Sequence, residues 1–149
     1  MIRHTHAGLH AELAGTPGAA RQARDLVREA VGEGHPFGDD AELITSELVT
    51  NAVAHTRSGE PGGSLVLAVR AHPDQVQILV RDSGGASAPD WSSAADPDGE
   101  HGRGLAIVIA LAAEWGSQAT PAGNSTWCRL SRDQTPGRTA GREPEREAG

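Results

Sequence analysis

Residues 39–55 run DDAELITSELVTNAVAH. Ala41, Ile44, Leu48 and Ala52 recur at three-and-four spacing, the signature of a helix with one apolar side. Asp39 and Asp40 mark its start, because their carboxylates can cap the free N–H groups of a first turn. The pattern continues to about His55. Glu47, Asn51 and His55 fall at i, i+4 and i+8, so their side chains line one edge of the helix. That edge borders Ile44 and Leu48, which sets it at the rim of a core and facing a cleft.

Working outward from this helix, residues 9–13 predict a short strand ended by Gly15-Thr16-Pro17. Ala20, Ala23, Leu26, Val27, Ala30 and Val31 then predict a first helix from Pro17, stopped by Gly32 and Gly34. Residues 58–63 are turn material. Residues 64–71 and 75–82 are rich in β-branched and aliphatic side chains and flank His72-Pro73-Asp74, which reads as a hairpin. From 83 to 101 the chain turns to Gly, Ser, Ala, Pro and Asp, a long loop of the kind that is functional or mobile. A third, mostly apolar helix is expected from Gly104 to about Glu114, followed by strands near 115–120 and 125–130. The order of elements predicts an α/β (α+β two-layer) sandwich, with a mixed, largely antiparallel sheet and three helices on one face. Residues 1–7 read as a disordered leader, 8–131 as one domain, and 132–149 as a disordered tail with no apolar residue larger than alanine after Arg132.

Composition narrows the function. The chain has 149 residues, a net charge of -7 and 37% hydrophobic residues. An acidic chain is poorly suited to general phosphate-backbone binding of nucleic acid, so no direct nucleic-acid role is expected. No stretch approaches the roughly 18 apolar residues of a membrane helix, and the N-terminus lacks the order of a signal peptide. The single cysteine, Cys128, excludes an intramolecular disulfide and suits a cytoplasmic setting. Cys128 reads as core packing. His4, His6 and His10 lack a carboxylate–histidine pattern and read as solvated.

Three short stretches carry chemistry. Asn51 is a poor helix former in mid-helix and needs a reason to be there. Its amide oxygen is a neutral, hard ligand that Mg2+ accepts beside phosphates. Glu47, one turn earlier, can orient or deprotonate a hydroxyl or water. Asp82 ends a buried strand and opens into Gly84; its carboxylate can accept from the exocyclic amine of adenine, while Gly84 lets backbone approach a flat ring. His101-Gly102-Arg103-Gly104-Leu105 opens a helix on glycines, which exposes N–H groups to a polyphosphate. It lacks the Lys-Ser/Thr of a Walker loop. Each stretch alone also fits a bland reading: a polar helix border, an aspartate-led turn, a flexible helix entry.

Taken in order, these stretches resemble one family. Glu47 to His55 resembles the N box of the GHKL (histidine-kinase-like) ATPase and kinase fold. Asp82-Ser83-Gly84 resembles its adenine box, Gly102-Arg103-Gly104-Leu105 its second glycine box, and residues 123–130 its final strand. Within the fold the chain is most similar to the single-domain anti-sigma-factor serine/threonine kinases of bacteria. The resemblance implies ATP and Mg2+ as ligands. It implies Asn51 as Mg2+ ligand, Asp82 as adenine anchor, Gly84 beneath the base, and Gly102, Arg103, Gly104 and Leu105 around the phosphates. It further implies Glu47 as catalytic base and Ser125 as a hydroxyl able to reach adenine, with His55 structural, packing the helix end. Ala86 and Asn124 depart from the family's common glycine and lysine.

The expected function is therefore an ATP-binding regulatory protein, an anti-sigma-factor kinase that phosphorylates an antagonist protein. Its expected partners are a sigma factor and that antagonist, with a homodimer common in the family. The alternative is a non-catalytic, ATP-responsive module that sequesters a partner.

Overall fold

Alternation of apolar residues builds the sheet. In the computed structural model, which describes residues 2–5, 8–84 and 102–132, strand β2 (Gly8–Ala14) buries Leu9, Ala11 and Leu13, and β3 (Ser64–His72) buries Leu65, Leu67 and Val69. Strand β4 (Gln75–Arg81) buries Val76, Ile78 and Val80 on the same face. Each such leucine, isoleucine or valine contributes roughly 1.5–3 kcal/mol by leaving water. Strands β1 (Ile2–Thr5), β5 (Glu114–Thr120) and β6 (Gly123–Ser131) complete a six-stranded sheet in the order β1-β2-β3-β4-β6-β5.

Helices α1 (Ala19–Val31), α2 (Gly38–His55) and α3 (Gly102–Leu111) supply the facing layer. Ala19, Ala23, Leu26 and Val27 of α1 and Ala41, Ile44, Leu48, Val49 and Ala52 of α2 share one core with the sheet and with Val108. The fold is the expected α+β two-layer sandwich. Every strand pair is antiparallel, so the anticipated mixed sheet narrows to an antiparallel one. Cys128 lies in that core, and loss of hydration pushes its thiol up to about 12, which keeps it a protonated packing group. Among the described residues no helix is long and apolar enough to cross a membrane.

Two details differ from the sequence reading. Residues 2–5 are a strand rather than a loose leader, with Ile2 opposite Ala11 and Thr5 opposite Gly8. An edge strand is held by its backbone ladder and needs no apolar pattern, and Ile2 is 45% exposed. Helix α3 ends at Leu111 instead of near Glu114, because the Ala113 N–H donates to Arg129 O and draws the chain into β5. The residues read as a tail from 133 onward, and those of the long loop from 85 to 101, lie outside the described part.

The start of α2 is also set differently. Its N-cap is Phe37, without a side-chain cap, and Asp39 and Asp40 sit in the first turn, where they favour the helix dipole. His35 fixes the entry. Its Nδ1 accepts the Phe37 N–H at 3.0 Å, so the ring proton is on Nε2, which donates to His72 O at 2.6 Å. One neutral imidazole thus ties the α1–α2 connection to the β3–β4 hairpin. Replacing it by alanine (His35→Ala) is expected to cost about 1–3 kcal/mol. The urea midpoint would report this, and an unchanged midpoint would contradict the role.

Candidate functional site

Helix α2 carries the first part of the site. Leu48 and Ile44 are buried, whereas Glu47 and Asn51 are half-buried, one turn apart on the flank of the apolar side. Among the described residues neither the Glu47 carboxylate nor the Asn51 carboxamide makes a side-chain hydrogen bond, so both polar heads are available to a ligand. His55, the last residue of α2, is exposed.

The end of β4 carries the second part. Asp82 N–H donates to Asn124 O at 2.9 Å, and Asp82 Oδ1 accepts the N–H of Asn124 at 3.1 Å and of Gly84 at 2.7 Å. These bonds fix the carboxylate plane through one oxygen. Oδ2 has no partner among the described residues, which suits an acceptor aimed at an amine. Gly84 has φ +76°, and a Cβ there would stand 3.3 Å from Gly123 Cα. A side chain at that point would fill the cradle beside the carboxylate. The residues present therefore fit an adenine-like base at Asp82–Gly84 and a hard cation at Asn51.

The third part is the start of α3. Gly102, Arg103, Gly104 and Leu105 form its first turn, where N–H groups have no intrahelical partner. The side chains of Arg103 and Leu105 lie outside the described part, as does Ala86. Helix α3 packs against α2, so its helix adjoins the one bearing Glu47 and Asn51.

Ser125 is placed differently from the expectation. It pairs with Arg81, and its Oγ accepts Arg81 Nε at 3.4 Å. Thr126 pairs with Val80, and Cys128 with Ile78, so Thr126 is the hydroxyl on the helix-facing side of the sheet. The inward alternation of Thr126, Cys128 and Leu130 marks this face already in the sequence. Asn124 is 5% exposed, and both its N–H and C=O are engaged with Asp82, so this departure lies in the interior.

The closeness of β4 and β6 at this end depends on glycine. A Cβ on Gly123 would stand 1.8 Å from Asp82 O, and its φ is +142°. The substitution Gly123→Ala should push β6 away from Asp82 and lower stability by about 2–4 kcal/mol. Thermal unfolding checks this; a wild-type midpoint would show that the strands tolerate the methyl group.

Comparison with known proteins identifies a family for most of the chain. Residues 9–130 match the family model described as histidine kinase-like ATPase domain. No curated protein matches the chain. The match spans both the α2 row and the Asp82–Asn124 junction, and the chain belongs to the histidine kinase-like ATPase family.

Proposed function

We propose that this protein binds Mg-ATP between α2 and the end of β4 and acts as an anti-sigma-factor serine/threonine kinase in the cytoplasm. The carrying observation is the pair Glu47 and Asn51, both half-buried on one edge of α2, with side chains unengaged among the described residues. A purely structural helix border gives no reason for a half-buried asparagine in mid-helix. Asp82 and Gly84 recognise the adenine, Asn51 holds the Mg2+, and the first turn of α3 receives the phosphates. Bound Mg2+ neutralises phosphate charge. Glu47 takes the proton of a serine or threonine hydroxyl on the antagonist protein as that oxygen bonds to the γ-phosphorus. The bond from the γ-phosphorus to the bridging oxygen breaks, and ADP leaves. When not engaged with the antagonist, the protein sequesters a sigma factor, in a homodimeric form.

The two parts of this reading are separable. Asp82→Asn turns one carboxylate oxygen into a donor and is expected to weaken ATP binding by about 1–3 kcal/mol. Calorimetry with Mg-ATP tests it, and unchanged affinity removes Asp82 from the site. Glu47→Ala is expected to keep ATP binding and lose about 10²–10⁴-fold in phosphoserine formation on the cognate antagonist. Equal transfer by this variant sinks the catalytic role. Partner binding that responds to ATP and survives the loss of Glu47, with no transfer by the wild type, supports a non-catalytic module instead.

A further inference from the structure

The turn Asp82–Gly84 is held on its second side by the segment that follows α2. After α2, Thr56 caps a 3-10 turn at Arg57–Gly59. Thr56 Oγ1 donates to Ala52 O at 2.6 Å and accepts the Ser58 N–H at 3.1 Å. Ser58 is completely buried. Its Oγ accepts the Ser83 N–H at 2.9 Å and lies 3.4 Å from Ser83 Oγ, to which it donates. Ser83 Oγ in turn donates to Ser64 O at 3.0 Å, and the Arg57 N–H donates to Gly84 O at 2.8 Å. Hydrogen bonds therefore run unbroken from the last turns of the helix bearing Asn51 to the turn bearing Asp82.

The backbone around Ser58 is tightly packed. A Cβ on Gly15 would stand 1.5 Å from Ser58 O, and one on Gly63 2.3 Å from the same atom. A Cβ on Gly59 would stand 1.9 Å from Val53 O, which holds the 3-10 turn against α2 itself. The hydroxyl is thus presented to Ser83 from a fixed frame, and its bond restrains the one residue between Asp82 and Gly84.

We infer that Ser58 is a positioning residue for nucleotide binding: its buried hydroxyl pre-orients the Asp82–Gly84 turn, so that adenine recognition at β4 is geometrically tied to the Asn51 end of α2. This inference rests on the ATP-binding reading above. Pre-organisation contributes to affinity by removing the cost of ordering the turn when the ligand arrives. A residue acting this way has no contact of its own with the base, so its effect must vanish once the base contact is gone.

The test is a double-mutant cycle read by calorimetry with Mg-ATP, well below the unfolding midpoint of each variant. Ser58→Ala is expected to weaken ATP binding about 5- to 30-fold, the loss of one buried hydrogen bond to the turn. In an Asp82→Asn background the same change is expected to cost about twofold or less, because coupled sites are not additive. A merely structural role for Ser58 would lower the midpoint but leave the two losses multiplicative. Ser58→Cys, which keeps the volume but accepts weakly, is the second variant should the alanine prove too unstable to measure. Wild-type affinity in both Ser58 variants, or the same fold loss with and without Asp82, overturns the inference. Absence of ATP binding by the wild type is a different outcome: it removes the nucleotide site, and this role with it.

Discussion

One oxygen, Asp82 Oδ1, accepts two backbone N–H groups, from Gly84 in its own turn and from Asn124 at the start of β6. The constraint reaches in both directions. It bends the chain out of β4 with a fixed carboxylate plane, and it joins that strand to β6 one step beyond their last ladder pair, Arg81 with Ser125. The positive φ of Gly84 and the close approach of Gly123 are the local consequences. A charged acceptor makes stronger hydrogen bonds than a neutral one, which is why a side chain half-open to solvent can organise so much backbone.

The site and the core share α2. Its buried stripe, Ile44, Leu48 and Ala52, anchors the helix on the sheet, and the flanking Glu47 and Asn51 are positioned by that anchoring. Polar groups on the edge of a packed helix gain a rigid support without having their heads buried. The helix is pinned at both ends by side chains outside it: His35 bonds to Phe37 before its first turn, and Thr56 bonds to Ala52 after its last. A row of groups held in this way is spaced by the helix itself.

Much of this was legible in the residues. The three-and-four spacing of α2, the hairpin of β3 and β4, and the polar edge at Glu47 and Asn51 follow from side-chain periodicity, which survives in the folded chain. What escaped was fixed by pairing at a distance. Strand β1 is held by backbone bonds to β2 and has no side-chain pattern to announce it. Ser58 stands in a run of turn residues, and only the folded arrangement brings it beside Ser83, 25 positions away. Thr126 and Ser125 differ by one residue and lie on opposite faces of β6, a choice that register alone makes. The helix start at Phe37 rather than at the aspartates was decided by an imidazole in the preceding connection, a partner that propensity does not see.

The Asp82–Asn124 junction spans 42 positions of chain. During synthesis, α2 and β4 leave the ribosome well before β6, so the carboxylate waits without one of its two N–H partners. The nascent chain can therefore carry α2 and β4 and still lack a finished Asp82–Gly84 turn. The turn is then completed only when β6 joins the sheet, so the Asp82–Gly84 corner is among the last parts of the domain to set.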